Sequence, residues 1–140
     1  MEPRTHLAID PAWCGTPVEL HEGAAEVELL TLPGMAADEH GLVHGGFVFG
    51  LADYAAMLAV NDPLVVLAGA EVRFVRPVRV GERLRATAAV GDADGRKRQV
   101  HCLVKSDEGE VLHGHFTCVV PSQHVLAAKA AVPAASGTGP

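Results

Sequence analysis

Aromatic residues are scarce in this chain: one tryptophan, one tyrosine and four phenylalanines among 140 residues. Its core must therefore be built mostly from valine, leucine and alanine. Cysteine is also sparse. Cys14, Cys102 and Cys118 form no C-x-x-C pair, and an odd count of this kind points to free thiols in a reducing compartment rather than a disulfide framework. No apolar run reaches the ~20 residues that a membrane-spanning helix needs. The opening "MEPRTHLAID" lacks the apolar stretch of a secretion signal. The expectation is a cytoplasmic protein with no membrane partner. Positive charge is in short supply as well, with a formal net charge of −6, which argues against nucleic acid as a partner.

What basic charge there is falls in one place. Eight of the eleven Lys and Arg residues lie between Arg73 and Arg98. A local patch of this kind suits a small anionic ligand, although most such residues on strands simply face water. About half the residues are hydrophobic, a globular composition, and the length fits a single domain over 1–140.

Along the chain, residues 1–15 read as irregular and 130–140 as frayed. "AAEVELLTL" (24–32) has strand composition after a turn signal. A Gly- and charge-rich loop leads to a helix from Gly45 to about Val60, stopped at Asn61–Pro63. The segments that follow are short strands separated by polar turns, an antiparallel meander of three or four strands. In the first of them Val72 and Phe74 share one face, opposite Arg73 and Val75. One helix with one antiparallel sheet is an α+β arrangement. The helix is apolar almost all round, so either the sheet curls about it or a second copy covers the rest.

One charge interrupts that helix. Gly46, Gly50, Asp53 and Met57 fall on one strip at helical spacing. An interior glycine costs about 1 kcal/mol against alanine, a loss that close approach of a backbone or ligand would explain. Asp53 has three readings: satisfied by backbone donors, paired with an Arg, or working in a partly wet cleft. The His44-Gly45-Gly46 start offers free N–H groups and the positive end of the helix dipole, able to hold a developing oxyanion. Gly45 and Asp53 lie eight residues apart, roughly 12 Å along a helix. One chain cannot bring both to one reacting carbon. Two antiparallel copies could, which predicts a homodimer with two composite sites.

"HGGFVFGLADYAAMLAVN" and "AEVRFVRPVRVGERLRATAAV" resemble the hotdog-fold acyl-CoA thioesterases of the phenylacetate-degradation (PaaI-type) branch of the 4-hydroxybenzoyl-CoA thioesterase superfamily, over about residues 18–120. The resemblance implies an antiparallel sheet of five or six strands wrapped around one long helix. It implies homodimers joined through sheet edges, often paired into homotetramers, and hydrolysis of an acyl-CoA with no cofactor beyond the coenzyme A of the substrate. Asp53 then corresponds to the catalytic carboxylate, as base or nucleophile, and Gly45 to the N–H that polarises the thioester carbonyl. His44 matches the motif histidine. Asp38 stands where many members carry an Asn that orients water or substrate. "VVLAGAE" lacks the hydroxyl that some relatives place after the helix. Gly46, Phe47, Tyr54 and Met57 are candidates to line the acyl pocket. Among the basic residues, the turn Arg96-Lys97-Arg98 is favoured over Arg73, Arg76, Arg79, Arg83 and Arg85 for the phosphates of coenzyme A. The rival readings are a hotdog hydratase or dehydratase and a non-catalytic acyl-CoA-binding protein. His101, His113 and His115 on adjacent strands raise a metal site, but the spacing is not that of zinc ligands, and no metal is expected.

Overall fold

In the computed structural model residues 1–130 are described. The expectation for the last ten residues lies outside that range. The elements run α1 (Pro11–Cys14), β1 (Thr16–His21), β2 (Ala24–Leu30), α2 (Gly45–Val60), β3 (Val66–Phe74), β4 (Arg83–Asp94), β5 (Lys97–Ser106), β6 (Gly109–Val119) and α3 (Val125–Ala130). The six strands form one antiparallel sheet in the order β1-β2-β4-β5-β6-β3. This is the hotdog arrangement, an α+β fold with the long helix against a curled sheet.

The two-residue period of the strands decides which side faces α2. Leu84, Ala86 and Ala88 of β4, Val100, Cys102 and Val104 of β5, and Leu112, Phe116 and Cys118 of β6 are all buried against the helix. The odd-numbered residues between them form the outer face. There His101, His113 and His115 stand together, with His101 Nδ1 3.1 Å from His115 Nδ1 and His113 Nδ1 2.6 Å from Glu110. No group of three metal-ligating side chains occurs among the described residues. Gly114 is required by packing: a Cβ there would lie 2.1 Å from the carbonyl oxygen of Glu71 and 2.7 Å from Val72 Cα. Only glycine lets β3 dock this closely on β6.

Two sequence expectations need correction. The strand Thr16–His21 was not foreseen, because Pro17 and its alternating exposure hide it; it is an edge strand, where proline is tolerated. Residues 1–15 are not irregular filler either. Asp10 caps α1 through Oδ1 to the Ala12 N–H (2.9 Å), with Pro11 at the first helical position. The segment lies along α2, so the side of the helix that the sheet leaves bare is covered by the chain's own first residues. No helix of the described residues is long and apolar enough to cross a membrane.

Candidate functional site

Helix α2 starts at a His-Gly-Gly step and ends at Asn61, whose left-handed backbone (φ 52°) closes the last turn through its N–H to the Met57 carbonyl. Nine of the helix residues are buried, Met57 completely and Tyr54 to 6% exposure. Gly46 is exposed, and Gly45, Phe47, Phe49, Gly50, Asp53 and Val60 are half-buried; of these Gly46, Gly50, Asp53 and Val60 share one strip. A Cβ on Gly50 would meet nothing within 4 Å. The strip thus carries a carboxylate and two glycines, and above Gly50 no described residue comes within contact distance.

Asp53 is the unusual group. Its Oδ1 is sealed from solvent and has no hydrogen-bond partner. Burial pushes its carboxyl up to about 6. No cation offsets this: none of the ion pairs among the described residues involves Asp53. Of the three readings open from sequence, backbone satisfaction and pairing with an arginine both fail. A desolvated carboxylate with no partner is costly to a fold and is characteristic of working sites.

The start of α2 is built as the sequence suggests. The His44 N–H donates to the Met35 carbonyl (2.9 Å), which fixes the entry of the chain. The first N–H groups of a helix have no partner within it, and those of Gly45 and Gly46 take none elsewhere among the described residues. The His44 side chain makes no capping bond. Its ring sits over Gly46 and meets Phe47 edge-on at 6.2 Å.

Asp38 has a structural task in the loop that carries it. Its Oδ1 accepts from the N–H groups of His40 (2.9 Å) and Leu42 (3.2 Å) and so closes the loop before α2. Met57 and Tyr54 are core residues, because the sheet and the first fifteen residues close over them; of the expected pocket residues, Gly46 and Phe47 alone keep access to solvent.

The basic residues divide by place. Arg85 is held by Glu26 (3.1 Å) and Glu28, and Arg83 lies 3.9 Å from Glu28, all on the outer face. The turn Arg96–Arg98 follows from the register: Lys97 pairs with Val119, and Val119 with Val66, the first residue of β3. Gly45 lies by Phe74, at the other end of β3. Within one chain the turn and Gly45 therefore lie at opposite ends of the sheet. Arg76 and Arg79 lie at the Gly45 end. They line a groove of about 420 Å³ with His40, Leu42, Glu82 and Glu108, next to the start of α2, where the Val43 N–H donates to the Val78 carbonyl (2.8 Å).

Residues 40–113, which hold the loop closure, α2 and the strands around it, match the family described as the Thioesterase superfamily. The chain belongs to the thioesterase superfamily. Among solved structures, the uncharacterized protein PH1136 from Pyrococcus horikoshii is 53% identical, with a TM-score of 0.88 over 90% of this chain and 97% of that one. A mutant of the phenylacetic acid degradation protein PaaI from Thermus thermophilus is 28% identical, with a TM-score of 0.72 over 80% of this chain and 100% of that one. Two curated relatives carry other names. Methylthioribose-1-phosphate isomerase of Aquifex aeolicus is 50% identical over 85% of this chain, but this chain spans 26% of that protein. The transcription factor FapR of Caldanaerobacter subterraneus is 31% identical over 61% of this chain and 42% of its own length.

Sequence reasoning missed the contribution of residues 2–15. The signal was present: Asp-Pro at positions 10–11 is a helix-start signature, and Asn61 at the helix end supplies an amide with capacity beyond its cap.

Proposed function

We propose that the protein is an acyl-CoA thioesterase of the PaaI type that acts as a homodimer in the cytoplasm. The carrying observation is the unpartnered, buried oxygen of Asp53 on the one open strip of α2, two helical turns beyond the free N–H groups at its start.

The dimer follows from the edge strand. The Val75 N–H donates to the Val111 carbonyl (2.8 Å), and bonding alternates along an antiparallel pair. The N–H groups of Ala70, Val72 and Phe74 therefore point away from β6, toward an open edge of nine residues. An edge this long invites pairing. Two-fold antiparallel pairing of β3 with its copy extends the sheet and sets the two α2 strips near each other. It also carries the Arg96–Arg98 turn of the second copy to the end where Gly45 of the first lies.

In the composite site the thioester carbonyl accepts a hydrogen bond from the Gly45 N–H of one chain. Asp53 of the other takes a proton from water as the water oxygen bonds to the carbonyl carbon. The oxyanion forms against the helix start. The C–S bond then breaks, and the coenzyme A thiolate leaves with the proton. Direct attack by Asp53 is the variant pathway, through a mixed anhydride. Arg76 and Arg79 suit the phosphates of coenzyme A, and Phe47 the acyl group.

The test is release of free coenzyme A, followed with a thiol reagent over a panel of acyl-CoAs, for the parent chain and Asp53→Asn. Turnover that Asp53→Asn abolishes, with the fold intact, supports the enzyme. A second reading has two observations in its favour. Asp38 is occupied in closing a loop, and a sequence relative is named as a transcription factor. Tight acyl-CoA binding by both proteins without turnover would establish a binding module instead.

A further inference from the structure

Residues 2–15 lie outside the sheet and take no part in the chemistry set out above. They run lengthwise along α2 as a strap. At one end Asn61 holds the strap with both halves of its amide: Oδ1 accepts from the Arg4 N–H (2.7 Å) and Nδ2 donates to the Glu2 carbonyl (3.0 Å). In the middle Thr5 is buried, and the His6 ring faces Tyr54 at 6.4 Å. At the other end the Trp13 ring lies 5.7 Å from Phe47. Gly15 then leads into the sheet where a side chain would strike Glu28 O and Val27 at 2.7 Å.

Phe47, Tyr54 and Asn61 are spaced by seven residues, so the strap follows a nearly straight line along α2. Gly46, Asp53 and Val60 form a second line about 100° round the helix, with Gly50 and Met57 between the two. The strap stands to one side of Asp53, and its Cys14 end comes within electrostatic range of the carboxyl. The titratable groups within electrostatic reach of Asp53 are Cys14 from the strap, Cys102 from β5 and Cys118 from β6. Burial raises all three thiols, so each is neutral near pH 7. The titratable groups facing Asp53 are therefore neutral on the strap side as well as on the sheet side.

We propose that the strap is a wall of the catalytic groove, closing the side of Asp53 that the sheet does not reach and keeping bulk water from its carboxylate. This rests on the reading of Asp53 as the working carboxylate. Asn61 and Cys14 are then positioning residues that act through Asp53.

Two variants loosen the strap from opposite ends. Asn61→Gly keeps the left-handed cap, which glycine favours, and removes the amide that holds Arg4 and Glu2. Trp13→Ala removes the contact to Phe47 at a side chain already 41% exposed, so it does not depend on the first variant folding. Trp13 is the chain's one tryptophan, and its emission reports release of the strap in Asn61→Gly. The carboxyl of Asp53 is titrated directly by carbon-13 NMR in the parent and both variants, with circular dichroism to verify the helix. The midpoint is expected to fall by roughly one pH unit on release, as water reaches the group, and the acid limb of hydrolysis to move with it. An unchanged midpoint in both variants overturns the proposal. The NMR titration needs no turnover. A shifted midpoint in a chain that hydrolyses nothing keeps the wall and rejects the thioesterase; hydrolysis with an unmoved midpoint does the reverse.

Discussion

The ring of Phe74 lies across the first turn of α2, with Cε1 3.4 Å from the point where a side chain on Gly45 would begin. The contact joins the end of the open edge strand to the free N–H groups proposed to donate to the substrate carbonyl. A methyl at Gly45 meets Phe74 at ordinary van der Waals distances, and alanine is a good helix former. Gly45→Ala is therefore expected to melt within a few degrees of the parent. The methyl narrows the approach to the N–H, and kcat/KM should drop by about 10- to 100-fold. Thermal melting and steady-state hydrolysis on the same preparation check both halves.

Asp53 makes the fold less stable as pH rises. Its carboxyl titrates at about 6 in the folded chain against an ordinary value of 3.8. Between those values the folded state keeps a proton that the unfolded state has lost. Stability therefore falls from about pH 4 to pH 6 and stays lower above. Two pH units correspond to about 3 kcal/mol at most, and partial exposure brings this to on the order of 2 kcal/mol. Asp53→Asn should match the parent at pH 4, exceed it at pH 8 and hydrolyse nothing. Urea unfolding at the two pH values measures the first two; equal midpoints at pH 8 would contradict the assignment.

Asp38 closes its loop with one oxygen, and an amide oxygen can do the same. Asp38→Asn should leave thermal stability nearly unchanged. Asp38→Ala frees the N–H groups of His40 and Leu42 and should cost about 1 kcal/mol. If the position also orients water, the Asn variant regains donor capacity and turns over at least as fast as the parent. Slower turnover by Asp38→Asn would show that the carboxylate itself is needed.

Proline at Ala70 removes an N–H that points away from β6 and leaves the pairing with β6 intact. Ala70→Pro should fold, sediment as a monomer where the parent sediments as a dimer, and lose hydrolysis because each site loses half its groups. Sedimentation velocity reads the first effect. A variant that stays dimeric and active would place the contact elsewhere.

Much of this was legible in the sequence, and the reasons differ by element. The bounds of α2 were marked by Gly-Gly at one end and Asn-Asp-Pro at the other, local signals that tertiary structure left alone. The inward face of the strands followed from alternation, and Cys102 and Cys118 turned inward, away from the histidines, as parity required. Asp53 stood out because a charge in an apolar helix is rare. Met57 was misplaced because spacing shows which residues share a strip but not where a curled sheet stops covering it. Charge density picks out the Arg96–Arg98 turn, but the end of the sheet it occupies depends on register over distant strands, which the local sequence does not carry. The strap carried a local start signal at Asp10-Pro11, but where it lies depends on Asn61 meeting Arg4 and Glu2, residues nearly sixty positions away.

The strand order carries a consequence for how the chain is made. β3 sits at the end of the sheet beside β6, yet two other strands, β4 and β5, are translated between them. While β1, β2 and β4 assemble on α2, β3 has no neighbour to hold it, and its pairing is among the most non-local in the fold. The edge on which a second copy would dock is thus completed only once synthesis has passed Val119. On the proposed pairing, a chain that stops before β6 has no seated β3 to offer a second copy.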